Sequence, residues 1–173
     1  MGKIPRAVFD AGPFIHLHEI DLLRVLSLFK SLIITKEVFE ELTKRNLDRA
    51  LLQKHAKILV LDAAHKNKAM YFADRYSLDL GEASSLALGL QEHVSLFITD
   101  DLDARTIAKS SGLEVHGSIG VILRAFRETI LTRQSAQQKI KELHTKSSLF
   151  VTSALVDFAL RELESYPDKR KKK

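Results

Sequence analysis

The chain has 173 residues, 45% of them apolar, no cysteine and a formal charge of +5. This length supports one compact core, and the missing cysteines exclude a disulfide framework, a thiolate nucleophile and a Cys-type zinc site. The run Lys169-Arg170-Lys171-Lys172-Lys173 carries the whole excess, leaving 22 basic against 22 acidic residues elsewhere, so the high pI is no evidence for a basic face on the folded part.

No apolar stretch reaches the roughly 18 residues of a membrane span, and no apolar leader core follows Met1-Gly2-Lys3-Ile4-Pro5-Arg6; no membrane association and a cytoplasmic setting are expected. In chain order, β-branched and aromatic runs predict strands over 6–9, 32–35, 58–61, 96–99 and 113–116. Helical periodicity fills the gaps, with Leu22, Leu23, Leu26 and Phe29 on one helical face, then Val38, Glu41 and Leu42, then a helix that opens at Gly81. Amphipathic helices follow over 119–128, 134–145 and 150–164 with no further strand. This alternation predicts an α/β fold: three layers, α/β/α, around a central mainly parallel sheet, plus C-terminal helices. The expected organisation is a single domain over 1–166, with a helical extension from about residue 128, and a disordered basic tail over 167–173.

Acidic residues stand where apolar segments break off. Asp10 follows Ala7-Val8-Phe9, and Asp100 and Asp101 follow Leu96-Phe97-Ile98-Thr99. In an open parallel sheet, ligands gather beyond the carboxyl ends of strands, so these acids are expected to share a cleft. Glu41 is turned by its spacing from Val38 and Leu42 toward the buried side of its helix, with Glu37 and Glu40 in solvent, and Glu82 falls in a first helical turn. Each has a structural alternative: Asp10 as a helix cap, Glu41 as a surface residue, Glu82 as a partner of the helix dipole. For the pair Asp100 and Asp101, only one can cap the following helix. Asp103 is assigned to the solvated face, Arg105 to charge balance. Clustered carboxylates repel one another unless they share protons or surround a cation, and a divalent metal site is the expected outcome. The seven histidines offer no i, i+4 pair for zinc, and no glycine-rich phosphate loop is present.

The blocks Asp10-Ala11-Gly12-Pro13-Phe14-Ile15-His16-Leu17, Ile33-Ile34-Thr35-Lys36-Glu37-Val38-Phe39-Glu40-Glu41-Leu42, Leu80-Gly81-Glu82-Ala83, Ile98-Thr99-Asp100-Asp101 with Ala104-Arg105, and Gly117-Ser118-Ile119-Gly120-Val121-Ile122-Leu123-Arg124-Ala125 resemble, in order, those of a PIN domain. The nearest likeness is to the prokaryotic branch related to VapC-type toxins. The resemblance implies a metal-dependent ribonuclease that hydrolyses single-stranded RNA with an activated water, leaving 5′-phosphate and 3′-hydroxyl ends. It implies catalytic acids at Asp10, Glu41, Glu82, Asp100 and Asp101, with Mg²⁺ or Mn²⁺ held by Asp10, Glu82 and Asp100 or Asp101. A hard, all-oxygen donor set suits those ions. It further implies a homodimer and, for a toxin, a small antitoxin protein filling the cleft. Two positions depart from the common pattern: Gly12, where many members carry Ser or Thr, and Glu82, where many carry Asp. They support the alternative of a non-catalytic PIN-like RNA- or protein-binding module. An aspartyl-phosphate phosphatase is disfavoured, because that chemistry needs a second aspartate where Gly12 stands.

Overall fold

The computed structural model describes residues 4–167, so the basic run from Lys169 lies outside the described residues. Five strands, β1 (Ile4–Phe9), β2 (Phe29–Thr35), β3 (Lys57–Leu59), β4 (Leu96–Ile98) and β5 (Glu114–His116), form one sheet in the order β3-β2-β1-β4-β5. Every pairing is parallel, with Val8 opposite both Ile33 and Phe97. The helices are α1 (Ala11–Glu19), α2 (Lys36–Lys44), α3 (Arg49–His55), α4 (Ala63–Tyr76), α5 (Leu80–Gln91), α6 (Leu102–Ser110), α7 (Ser118–Arg127), α8 (Arg133–Thr145) and α9 (Ser153–Ser165).

Strand residues feed two cores by simple alternation. Ala7 and Phe9, Leu32 and Ile34, Leu96 and Ile98 enter one cluster with side chains of α1, α2, α7, α8 and α9. Val8, Ile33, Phe97 and Val115 enter the other, with α4, α5 and α6. A sheet buried on both faces needs apolar residues at successive positions, which is why its strands read as continuous apolar runs. Phe9 anchors the first cluster through edge contacts to Phe14 and Phe29, with ring centres 5.3 and 5.0 Å apart.

The segment predicted as a helix over 22–29 is a short 3₁₀ helix, Leu23–Leu28, and Phe29 opens β2 instead. Leu22, Val25 and Leu26 are buried as the helical spacing requires, but the run is too short to propagate an α-helix before the strand begins. The third strand ends at Leu59, leaving Val60 exposed.

The C-terminal helices share the first core through Ala136, Ile140, Leu143, Val156, Ala159 and Leu163. Polar ties add to this packing. Lys139 Nζ donates to the Ile20 carbonyl at the end of α1, at 2.5 Å, and to Glu142, at 2.7 Å. Arg133 reaches the carbonyls of Leu163 and Tyr166 beyond α9.

The chain moves outward from β1 to β2 and β3, then returns to β4 on the other side of β1. This reversal makes a topological switch point between β1 and β4, where loops on adjacent strands diverge and leave a crevice at their carboxyl ends.

Candidate functional site

Asp10 and the Thr99-Asp100-Asp101 segment flank that switch point. The Asp10 amide extends the ladder by donating to Ile98 O at 3.0 Å. Asp10 occupies the N-cap position of α1, yet its carboxylate makes no capping hydrogen bond. Instead the Thr99 hydroxyl, which accepts from the Asp101 amide at 3.2 Å, donates to Asp10 Oδ2 at 3.1 Å. One threonine thus ties the ends of β1 and β4 together.

Asp10, Glu41, Glu82, Asp100 and Asp101 all line one cleft of about 420 Å³, together with Gly12, His16, Arg45, Asp79, Ser148 and Leu149. A depression of similar size, about 440 Å³ beside α7, is lined by apolar residues with Glu114, His116, Arg124 and Arg127 and contains none of these five acids. The expected convergence at the carboxyl ends of the strands is therefore present. The individual roles differ.

Asp101 caps α6, its Oδ1 accepting from the Ala104 amide at 2.7 Å. Asp100 is held by three donors: the Ser118 amide at 2.7 Å, the Ser118 hydroxyl at 2.5 Å and His16 Nδ1 at 2.7 Å. Glu82 forms a capping box with Asp79, each side chain accepting from the other's backbone amide. Glu41 is not fully inward. Its side chain is about one-third exposed and pairs with Arg45 at 3.4 Å, because Val38, Phe39 and Leu42 take the buried face of α2. It leans instead on the start of α5, where a Cβ on Gly81 would lie 3.2 Å from Glu41 Oε2. The Thr35 and Ser84 hydroxyls, 2.9 Å apart, join the two helices beneath them.

Burial, with mutual repulsion second, holds three of these carboxyls above their usual range. Burial pushes Asp10 up to about 8, opposed by the Ala11 amide and reinforced by the charges of Glu82 and Asp79. Glu82 is raised to about 7 by burial, with Asp79, Asp101 and Glu41 adding repulsion. Glu41 is raised by burial and by Asp79, while Arg45 opposes the shift. A cation among these oxygens would reverse each of these penalties.

Among the described residues, no three His, Asp or Glu side chains converge closely enough to hold one ion as placed. Glu82 and Asp101 explain this, since both spend carboxylate oxygens on helix amides. The donor chemistry, oxygen only and short of positive charge, fits a hard divalent cation. A cation held by them would require Glu82 and Asp101 to turn from their caps.

Two contributors escaped the sequence reading. Asp79 was legible as the first residue of an Asp-x-x-Glu capping box ahead of an apolar run. His16 had no local signal, because its partner Asp100 is 84 residues away. His16 is half-buried, whereas His18, two residues on, faces solvent on another side of α1. Arg105 makes no ion pair with Asp103; it lies beside Gly117, where a Cβ would sit 2.9 Å from its guanidinium and 2.5 Å from Asp100 Oδ1.

A family model described as PIN domain matches residues 6–165, nearly the whole described chain, including the C-terminal helices. The chain belongs to the PIN-domain family. PIN domains are generally nucleases, so the cleft belongs to a nuclease module at that coarse level. The five-stranded parallel sheet between helical layers agrees with that membership. No curated protein matches the sequence. Among the described residues, no helix is long and apolar enough to cross a membrane.

Proposed function

We propose that this PIN domain is a metal-dependent endoribonuclease that hydrolyses single-stranded RNA. The observation that supports this reading most directly is Asp10: a buried carboxyl at the switch point, uncommitted to its helix cap, surrounded by further acids and raised to about 8. A structural aspartate would satisfy its helix, whereas this one bears a burial cost that a bound cation offsets.

Asp10, Glu82 and Asp101 would hold Mg²⁺ or Mn²⁺, with Glu41 completing the shell. When bound, the cation supplies the charge that lets these groups ionise together and activates water for attack on phosphorus. Thr99 fixes the Asp10 carboxylate. Asp100, saturated by His16 and Ser118, serves as the strut that locks α1, β4 and α7 around the cleft. Arg45, paired with Glu41, offers a cation at the cleft for the phosphodiester. Attack by water expels the 3′-oxygen, giving 5′-phosphate and 3′-hydroxyl ends.

The finer reading is the toxin of a toxin–antitoxin pair in the cytoplasm, a homodimer held in check by a small antitoxin protein that fills the acidic cleft. Its support is the VapC-like order of blocks and the helical extension. The Glu82 capping box favours the competing reading of a non-catalytic module, because it occupies one of the required carboxylates.

Cleavage of a fluorescent single-stranded RNA panel in Mg²⁺, Mn²⁺ or EDTA separates these readings. Cutting is expected with metal, is expected to stop in EDTA and in Asp10→Asn, and should leave 5′-phosphates. A 2′,3′-cyclic phosphate product, or no cutting together with no Mn²⁺ binding by calorimetry, would overturn the proposal.

A further inference from the structure

The imidazole of His16 uses one of its two nitrogens to hold Asp100 and leaves the other free. Nδ1 donates to Asp100 Oδ2 at 2.7 Å. The same carboxylate accepts from the Ser118 amide at 2.7 Å and from the Ser118 hydroxyl at 2.5 Å, so it acts only as an acceptor and the ring nitrogen facing it carries the proton. A neutral ring held in this tautomer presents Nε2 as a bare acceptor.

The ring is also fixed in place. Its side chain is 13% exposed and that of Asp100 is 9% exposed. His16 lines the cleft beside Asp10, Gly12 and Asp101. Among the described residues Nε2 has no hydrogen-bond partner, yet it is not one of the buried polar atoms left unpaired, which belong to Ser85, Arg124 and Arg127. The nitrogen is therefore reached from the cleft. Gly12 leaves the wall beside the ring without a side chain: a Cβ there would lie 3.5 Å from Cε1, the carbon between the two nitrogens. With Nδ1 tied and most of the ring buried, Nε2 is positioned before any ligand arrives.

An acceptor has little to offer a polyanion. The phosphate, ester and sugar-ring oxygens of a nucleic acid backbone only accept hydrogen bonds, so none of them can bond to a bare imidazole nitrogen. The ribose 2′-hydroxyl is the one group on the backbone of an internal nucleotide that donates, and DNA lacks it. The carboxylates are the other acceptors of the cleft, and on the metal-bound reading the cation engages them. Nε2 is the acceptor left for the strand.

We propose that His16 Nε2 accepts a hydrogen bond from the ribose 2′-hydroxyl of the nucleotide seated at the acidic cleft, which makes His16 the residue that selects RNA over DNA, with Asp100 and Ser118 as its positioning residues. This rests on the nuclease reading above and adds to it the contact that recognises the sugar. The bond is indifferent to the base, so it separates RNA from DNA without imposing a sequence. Because water is the nucleophile in that reading, a strand lacking the hydroxyl at this sugar is still cut, with weaker binding.

The test is a double-mutant cycle between protein and substrate. His16→Asn keeps an N–H near the place of Nδ1 for Asp100 and removes Nε2. A 2′-fluoro sugar, moved one nucleotide at a time along a labelled single strand, keeps the ribose pucker and cannot donate. Affinity is read by fluorescence anisotropy in the non-cutting Asp10→Asn background, and KM and kcat by cleavage with Asp10 intact. At one sugar, the fluorine alone and His16→Asn alone are each expected to weaken binding about three- to tenfold, and the two together by no more than either one. The loss should appear in KM rather than in kcat. His16→Gln, whose longer side chain carries a carbonyl oxygen toward the place of Nε2, should regain part of the sugar preference and melt lower because the tie to Asp100 is gone. Losses that multiply would overturn the contact and leave His16 as a support for Asp100 alone; so would a wild type indifferent to fluorine at every sugar. In both cases metal-dependent cutting of the all-ribose strand would keep the nuclease reading. A strand made uncleavable by a single 2′-fluoro group would make the 2′-hydroxyl the nucleophile and remove both proposals, as would a wild type that neither binds nor cuts RNA.

Discussion

Replacing Asp10 with asparagine should change how stability depends on pH, and by an amount the structure sets. In the unfolded chain this carboxyl ionises near 3.8, whereas in the fold burial holds its proton up to about 8. Between those values the native state carries one proton more than the unfolded state, so stability falls as pH rises and levels off above 8. Each unit corresponds to about 1.4 kcal/mol. From pH 5 to pH 7 the loss from this one group is therefore about 3 kcal/mol, which for a domain of this size corresponds to about 6–12 °C in Tm. Asparagine matches the shape, can accept the Thr99 hydroxyl and does not titrate. In EDTA, melting curves collected from pH 5 to pH 8 should show the wild type losing about that much more than Asp10→Asn. Added Mn²⁺ should flatten the wild-type slope and leave the variant unchanged. Parallel slopes in EDTA would refute the claim that burial of this carboxyl is the dominant electrostatic cost of the cleft.

Three further outcomes follow from side chains around and beyond the cleft. Gly117→Ala is expected to lower stability by about 1–3 kcal/mol and to reduce cleavage, because the new Cβ would meet Asp100 Oδ1 at 2.5 Å while that oxygen is held by the Ser118 amide; a melting temperature and rate equal to wild type would contradict this. Gly12→Ser should fold normally and retain any cleavage activity, since a Cβ there would meet His16 and Asp100 only at ordinary contact distances of 3.5–4.0 Å; a large drop in Tm would show that the helix entry is tighter than it looks. Glu142 is depressed to about 2 by its hydrogen bonds to Lys139 and Gln138, so its stabilisation is whole above pH 4.5 and drains away as pH falls toward 2. Glu142→Gln should remove that acid dependence and cost about 1–3 kcal/mol at neutral pH, measured by urea unfolding at pH 7 and pH 3.

The sheet was readable from sequence because its strands are buried on both faces, and Ala7-Val8-Phe9 and Leu96-Phe97-Ile98 have no other stable use than a two-sided core. The acids were readable for a related reason: a carboxylate just after such a strand falls at the carboxyl edge of the sheet, whatever the loops do. Resemblance supplied the order of blocks, which spacing alone could not. Two features of the cleft were beyond local signals. His16 and Ser118 meet on Asp100 from sequence distances of 84 and 18 residues, a pairing no local pattern in the sequence announces. The opening at Gly81, read as a helix start, also leaves room for Glu41 against α5.

A divalent cation bound in this cleft, as proposed, would compete with the helix caps for the same oxygens. Glu82 and Asp101 close the N-termini of α5 and α6, while burial, with neighbouring carboxylates second, raises Asp10 and Glu82. Releasing a capping carboxylate costs about 1 kcal/mol per helix, less than the burial penalty a divalent ion would relieve at Asp10 alone. On the proposed reading the balance would favour carboxylates that turn toward the cation, and amide protection at the two helix starts should then respond to added metal.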